Sequence, residues 1–475
     1  MKILLVKPKA RLKTITSLNG LVFLEPLELG YVAAAVPGGH DTRVLDLRLA
    51  RWPNWAFARS LKRYWPDVVG ISGYSHEANT VKDLCQRVKR ILPKTLTVVG
   101  GHHATVLPED YNCPGVDAIV RGEGCAPFRA IVESVASGRD LRNIPNVLVP
   151  GGSFDTAAAA QMPRYPELSE IPAPRRDLWD ARRYRCFWPS LSHPPWQTLF
   201  PPVALARSSF GCTMNCSFCV VPSLSGRRRL TRSVQAVVDE IASLNVDHVY
   251  FCDDETFLDP RHAMALAEAI ERRGLRKRYF AWSRSTTVDR WPEVFQAWRR
   301  IGLDAVFLGF EATTDTELAG LSKHATVADN ERALATLTQM GIAVQTGFMV
   351  NAGFTREDFA RLTRYVQSMP PAQITFTVYT PSPGSPAWRE ERTRYVCKDL
   401  DLHDCMHPMT PTVLPLKEFF ERFSALVGAG AKKNPLRRPE TRFPLYEIPR
   451  IIRATTSYSR ALRKAYRDYP QRTSI

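Results

Sequence analysis

Short apolar runs rich in β-branched residues punctuate the first 140 residues: Ile3–Val6, Thr42–Leu47, Val68–Ser72, Leu96–Val99 and Ala118–Val120. Between them lie stretches such as Trp55–Tyr64 and Ala78–Leu92, whose apolar residues fall three and four apart, the period of a helix with one buried face. Strands that are apolar throughout suit a sheet covered on both faces. This alternation predicts an α/β unit with a doubly wound parallel sheet over residues 1–142. Functional loops of such folds gather at the carboxyl ends of the strands, here Lys7–Lys9, Ser72–Ser75, Gly100–His103 and Arg121–Gly124.

The pattern lapses from 143 to 202. That segment carries Pro163, Pro166, Pro172, Pro174, Pro194, Pro195, Pro201 and Pro202 and sustains no period, so a linker wrapped along a surface is expected. Alternation resumes with the candidate strands Val203–Arg207, His248–Cys252, Tyr279–Ser283, Ala305–Phe310, Val344–Val350 and Gln373–Tyr379. Helical stretches such as Val234–Leu244, His262–Arg272, Pro292–Arg300, Val327–Met340 and Arg356–Met369 separate them. Six repeats over 203–390 predict a parallel β/α barrel of TIM-like type, most simply a partial (β/α)6 one, with its chemistry at the strand carboxyl ends. Residues 391–475 read as a mixed extension, partly helical around Leu416–Val427.

Composition narrows the class. A chain of 475 residues with 44% hydrophobic content can build two or three domains with their own cores. No run approaches the roughly eighteen apolar residues of a membrane span. The opening MKILLVKP is too short for a secretory signal and reads as a buried strand, so a cytoplasmic location is expected. The net charge of +17 is uneven: from Lys432 to Ile475, twelve Lys/Arg face only Glu440, Glu447 and Asp468. A solvated surface is the bland reading of that tail. Peripheral contact with the anionic inner face of a membrane is the functional one, and nucleic acid is the less expected partner.

Ten cysteines are too sparse for a disulfide scaffold. Three of them crowd into Gly211-Cys-Thr-Met-Asn-Cys-Ser-Phe-Cys219, a C-x3-C-x2-C spacing directly after the first barrel strand. Cys212, Cys216 and Cys219 could hold three irons of a [4Fe–4S] cubane and leave the fourth open. An amino acid can chelate that open iron through its amine and carboxylate. Structural zinc wants four ligands, usually two separated pairs, and no partner pair lies near. Cys186 and Cys252 stand isolated, and Cys85, Cys113, Cys125, Cys186, Cys397 and Cys405 read as small buried hydrophobes.

The cysteine spacing resembles the hallmark of the radical S-adenosylmethionine (SAM) superfamily, over about residues 200 to 390. The resemblance implies that SAM binds the open iron and is split there by one electron. It assigns Asp253, Asp254 and Glu255, in Phe251-Cys-Asp-Asp-Glu255, to the SAM amino group. Ser283 and Arg284 would meet its carboxylate or ribose, and Glu311 its ribose and methionine ends. Phe218 and the segment Gly347-Phe-Met-Val350 would pack the adenine. Thr380-Pro-Ser-Pro-Gly-Ser385 is similar to the sixth-strand ending of the cobalamin-linked subgroup.

The order of the two units is also similar to that of cobalamin-dependent radical SAM enzymes, in which a Rossmann-like domain precedes the barrel. Val98-Val-Gly-Gly-His-His103 and Val120-Arg-Gly-Glu-Gly124 carry this likeness. It implies a cobalamin cleft lined by Gly100, Gly101, His102, Gly122 and Glu123, with Ser72, Tyr74 and Ser75 at a third strand end. Glycine at a strand end lets backbone approach a flat ligand. The Gly-x-Gly-x-x-Gly fingerprint of dinucleotide sites is absent. So is the Asp-x-His-x-x-Gly motif that supplies a cobalt ligand in mutases, Asp401-Leu-His403 lacking its glycine.

With both cofactors, the resemblance implies methyl transfer from SAM through cobalamin to an unactivated carbon. The cofactors carry that chemistry, consistent with no acid–base pair standing out in the sequence. An external electron donor of flavodoxin or ferredoxin type is implied. The stretch Leu24-Glu-Pro-Leu-Glu-Leu-Gly-Tyr31 and the chain length are similar to hopanoid methylases acting at carbon 3, which implies a small-molecule or lipid substrate. The rival readings are a cobalamin-assisted cyclase or oxidoreductase of tetrapyrrole type, an RNA or peptide methylase, and a non-catalytic metal-bearing interaction protein.

Overall fold

Ile3, Leu4, Leu5 and Val6 are all buried because helices cover both faces of the sheet they enter. The structure, a computed structural model, describes every residue except 153, 166–170, 193–194, 435–441 and 471–475. Six strands form the first sheet: β1 (Lys2–Lys7), β2 (Asp41–Asp46), β3 (Val68–Ser72), β4 (Leu96–Gly100), β5 (Ala118–Val120) and β6 (Val147–Leu148). Their order is β2-β1-β3-β4-β5-β6, parallel but for the last pair. Val6 of β1 lies opposite Leu45 of β2 on one side and Ile71 of β3 on the other. The successive strands β2 and β3 therefore lie on opposite sides of β1, and a crevice opens at the carboxyl ends of β1 and β3.

Helices α1 (Leu27–Ala35) and α4 (Cys125–Ser137) pack on one face through Leu29, Ala33, Phe128 and Ile131. Helices α2 (Pro53–Tyr64) and α3 (Ala78–Ile91) cover the other through Phe57, Leu61, Val81, Leu84 and Val88. The three-and-four spacing of these residues is what the sequence pattern encodes.

The second sheet runs in chain order: β7 (Val203–Ala206), β8 (His248–Phe251), β9 (Arg278–Ser283), β10 (Leu303–Glu311), β11 (Ala343–Val350) and β12 (Gln373–Val378), all parallel. It is a six-stranded partial barrel. Helices α5 (Val234–Ala242), α6 (Pro260–Arg272), α7 (Pro292–Arg300), α8 (Val327–Gln339) and α9 (Arg356–Ser368) join the strands. Capping boxes start α8 at Thr326 with Asp329 and α9 at Thr355 with Asp358. Side chains alternate across the strands. Phe251, Tyr279, Ala281, Leu308 and Phe348 join the helix-side core around Trp298. Their neighbours Tyr250, Phe280, Trp282 and Phe307 pack together on the opposite, concave side.

Two expectations need correction. The segment 143–202 is not a surface strap. Its β6 extends the first sheet past residue 142, and Tyr184, Trp188 and Phe200 are buried. Trp188 donates from Nε1 to Asp304 Oδ2 at 2.8 Å. The aromatic residues among the prolines reward burial more than the prolines forbid it. Pro166 and Pro194 lie outside the described residues, as does part of the basic tail. Second, Cys113 is only half-buried and Cys405 is exposed, at a left-handed φ of 60°.

The extension contributes α10 (Leu416–Ala431), packed on β12 and α9, and α11 (Ile448–Lys464), packed on α10 and on residues 17–20. Among the described residues no helix is long and apolar enough to cross a membrane.

Candidate active site

The cysteine loop is pinned before it starts. After β7 the chain pairs Ser209 and Phe210 with Thr231 and Leu230, then turns at Gly211 with φ +86°. A Cβ there would overlap the Arg228 carbonyl oxygen, so only glycine fits. Asp253, at the end of β8, accepts from Ser208 N at 2.7 Å and Ser209 N at 2.8 Å, and from Ser208 Oγ at 2.6 Å. Asp254 accepts from Gly211 N at 2.7 Å. Of the three acidic residues expected at SAM, Asp253 is thus engaged at both oxygens within the protein. Asp254 keeps one oxygen to offer.

Glu255 is buried. Its Oε1 accepts from Ser283 Oγ at 3.0 Å and Arg284 N at 3.4 Å, while Oε2 has no hydrogen-bond partner. Burial outweighs nearby Arg229 and pushes its carboxyl up to about 7. An orphaned oxygen on such a group is costly unless a ligand donates to it. Arg284, also buried, reaches Cys216 Sγ with Nη1 at 3.5 Å and the Lys323 carbonyl with Nη2. Lys323 Nζ in turn holds Glu311 Oε1 at 2.8 Å. Glu311 sits at φ 63°, a left-handed conformation unusual for a residue with a Cβ and a recurrent mark of functional sites. Ser283, Arg284, Glu255 and Glu311 therefore converge beside the cysteine loop. The segment at the end of β11 divides: Gly347 faces the concave side, while Phe348 is in the helix-side core against Phe310 and Phe376. The expected adenine contact is corrected there for Phe348, since the pleat turns it away.

Cys216 is buried, Cys212 and Cys219 half-buried. Burial pushes the Cys219 thiol up to about 12 and Cys212 upward as well, so these are thiolates only where a metal cation offsets the burial. Among the described residues no three His, Cys, Asp or Glu side chains form a group that could hold a single ion. A cubane asks something different, because each thiolate meets its own iron.

A cavity of about 330 Å³ lies between the strand ends of the two sheets. Ser72, Tyr74, Gly100, Gly101, His102, Gly122 and Glu123 all line it, and so do Cys252 and Asp254 from the end of β8. Gly101, at φ +99°, has no room for a Cβ, which would meet the Gly73 carbonyl at 2.8 Å. The exposed side chains of Tyr74, His102 and Cys252 thus face an internal space. Burial and the nearby Lys7 charge push His102 down to about 4, so it presents a neutral imidazole. His103, by contrast, is buried between Ser75 Oγ and Asp110 Oδ2 at 3.1 and 3.0 Å.

Several wall residues lie outside the expected set. Lys7 Nζ pairs with Glu28 Oε1 at 2.8 Å and sits 4.7 Å from the Tyr74 ring centre. Burial alone would lower its amine, but Glu28 and Glu77 outweigh it and raise it above the ordinary lysine value. Its place at the end of β1 is a signal the sequence does carry. Tyr165, from the proline-rich segment, also lines the cavity, and its hydroxyl is buried without a partner. No sequence period marks it. The stretch Leu24–Tyr31 supplies Leu27, Glu28 and Tyr31 to the wall.

Residues 18–132 match the family described as B12 binding domain, and residues 207–366 match the Radical SAM superfamily. The chain is 30% identical over 425 residues to the hopanoid C-3 methylase of Methylococcus capsulatus, covering 88% of this chain and 78% of that protein. It belongs to the cobalamin-dependent radical SAM methyltransferases. Solved structures share the fold of this methyltransferase. TsrM from Kitasatospora setae, a radical SAM methyltransferase with cobalamin and a [4Fe–4S] cluster bound, superposes with a TM-score of 0.67 at 18% identity, over 98% of this chain and 99% of that one. OxsB, a cobalamin-dependent radical SAM enzyme with aqua-cobalamin and SAM bound, gives 0.68 at 14% identity, over 89% and 66%.

The methyltransferase uses cobalamin, SAM and a [4Fe–4S] cluster, acts on a small molecule and draws on a redox partner. Its residues fit those groups. Three thiols stand on one pinned loop, buried Glu255 keeps a carboxylate oxygen without a hydrogen-bond partner, and a glycine-edged cavity is lined by Asp254, which pins that loop.

Proposed function

We propose that this enzyme methylates an unactivated carbon of a polycyclic lipid of hopanoid type. The observation that carries the substrate class is the concave face of the barrel. Tyr250 stacks on Phe280 with ring centres 4.7 Å apart, and Trp282 packs on Phe307 at 4.1 Å. Trp282 Nε1 donates to Tyr250 Oη, so the indole N–H is satisfied within the aromatic wall. Gly347 keeps that wall flat, since a Cβ would meet the Phe307 ring at 2.8 Å. A rigid fused-ring substrate buries apolar surface against such a wall without losing rotamer freedom. The similarity to a hopanoid C-3 methylase supports the same class.

When bound, the cluster and cobalamin supply the radical and methyl-transfer chemistry. The chain positions and shields it. In this reading Cys212, Cys216 and Cys219 hold the cluster, and Arg284 offsets the thiolate charge at Cys216. Asp254, Glu255, Ser283 and Glu311 receive SAM, with Glu255 Oε2 accepting from its ammonium. Asp253 positions the loop. Ser72, Tyr74, Gly100, Gly101, His102, Gly122 and Glu123 cradle the corrin. An external flavodoxin- or ferredoxin-type donor provides the electron. The basic tail brings the enzyme to the anionic inner face of a membrane, where a lipid substrate resides.

Anaerobic reconstitution with iron, sulfide and hydroxocobalamin, followed by a reduced flavodoxin-type donor, methyl-labelled SAM and a pentacyclic triterpenoid, tests this directly. Labelled lipid together with 5′-deoxyadenosine is the expected result. The deoxynucleoside without label in any lipid would overturn the substrate assignment, and a Cys216→Ala variant that kept its cluster would overturn the ligand assignment.

A further inference from the structure

The C-terminal extension carries its apolar residues on the wrong side for a helix that only packs on its own protein. Leu445, Ile448 and Ile452 fall three and four apart, across the turn that leads into α11 and its first turn, and Tyr446 flanks them. These four are between 37% and 75% exposed. The side of α11 that packs inward uses Ala454 and Leu462, with Ala454 admitted by the bare Cα of Gly20. Exposed Trp196 joins the stripe, its backbone N–H donating to the Arg442 carbonyl at 2.8 Å.

The charge around the stripe is one-sided. From Arg442 to Arg467 the chain has seven Lys/Arg and a single acid, Glu447. Glu447 is buried, accepting from Leu199 N at 2.9 Å and from Thr198 Oγ1. No carboxylate of this segment therefore reaches its surface, and none of the seven cations makes an ion pair among the described residues. Exposed aromatic and aliphatic side chains in a segment whose cations have no carboxylate partner among the described residues match the headgroup boundary of an anionic bilayer. A neutral or cationic protein surface would not compensate that charge.

We propose that Trp196 and the Leu445–Ile452 stripe form a docking surface for an anionic lipid bilayer, with the stripe entering the headgroup boundary and Arg442, Arg453 and Arg460 facing lipid phosphates. The proposal deepens the lipid-substrate reading, on which it rests, by naming the surface, but its readout involves no turnover. Each cation near such a surface contributes roughly fivefold to partitioning, and the stripe adds apolar burial.

The test is flotation of the cofactor-loaded full chain with vesicles of phosphatidylglycerol and phosphatidylcholine, or of phosphatidylcholine alone. The wild type is expected to float with the anionic vesicles and to stay behind with the neutral ones. The Leu445→Ser/Ile448→Ser/Ile452→Ser variant should lose about tenfold or more in partitioning, and Arg453→Glu/Arg460→Glu a similar factor. Both variants alter exposed side chains, so their cobalamin content and melting should match the wild type. Wild type that fails to float with anionic vesicles, or a serine variant that floats equally well, overturns the proposal. A concentration-dependent dimer abolished by the serine variant would assign the stripe to a second copy of the chain instead. Failure of lipid methylation with flotation intact would sink only the substrate reading.

Discussion

Asp254 accepts the backbone N–H of Gly211 at 2.7 Å, and this one bond couples the two halves of the site. Gly211 opens the loop that carries the three cysteines. Asp254 lies at the strand end that also faces the inter-domain cavity. The position of the thiols and the wall of the inter-domain cavity thus share one short β8 terminus.

Gly211 gives a sharp test of the loop. Its φ is +86°, and the Arg228 carbonyl oxygen occupies the space an added Cβ would need. A Gly211→Ala chain must therefore displace backbone rather than a flexible side chain. Left-handed strain alone costs about 1–2 kcal/mol, and the clash adds to it. The loop should move while the first sheet stays intact. Iron and sulfide content after anaerobic reconstitution should fall severalfold, with hydroxocobalamin binding retained within about twofold. Full cluster content in that variant would show that the loop is not held as described.

Arg176 holds the domains together through charge. It pairs with Glu25 from the first unit and, at 2.6 Å, with Glu240 of α5, which also takes Arg232 at 2.6 Å. All four side chains are largely buried. Removing one partner from a buried pair leaves an uncompensated charge and costs roughly 3–5 kcal/mol. Arg176→Met should therefore lower the melting temperature by several degrees and weaken cobalamin retention on gel filtration. An Arg176→Met/Glu25→Gln chain, which also removes the stranded Glu25 charge and leaves Glu240 its Arg232 partner, should recover part of the loss, which distinguishes the stranded charge from lost packing.

The architecture was legible because its period is strong. Ala118–Val120, Val68–Ser72 and Pro292–Arg300 fall on the elements the pattern implied, and the other major strands differ by one or two residues at their ends. Of the eight glycine-turn and strand-end residues expected around cobalamin, seven line one cavity, since strand ends of a doubly wound sheet converge whatever their side chains; Ser75 instead bonds His103. What sequence could not reveal depends on long-range contact. Tyr165 reaches the cavity from a segment with no period, and Trp188 is buried because Asp304, 116 residues away, accepts from it. Asp253 looked like its neighbours Asp254 and Glu255, and only the fold shows its oxygens engaged by Ser208 and Ser209. Phe348 likewise follows the pleat into the helix-side core, a direction that depends on register rather than composition.

The C-terminal end is tied to the barrel by a buried histidine whose charge sets a pH window. His407 Nδ1 meets Asp404 Oδ1 at 2.9 Å, and Nε2 lies 3.4 Å from Asp468 Oδ2, near the end of the chain. Burial alone would lower its pKa, but Asp404 and Asp468 outweigh it and raise it to about 9. In the unfolded chain an ordinary histidine titrates near 6.5. The folded state therefore binds the proton more tightly, and the stabilisation is complete below about pH 6.5 and lost as pH rises through about 9. A shift of this kind is worth on the order of 3 kcal/mol. Thermal unfolding followed from pH 6 to pH 9.5 should show the wild type losing stability across that window. His407→Gln should start lower and lose less. Equal pH slopes for the two proteins would mean that His407 is neutral in the fold and that Asp468 is held by something else.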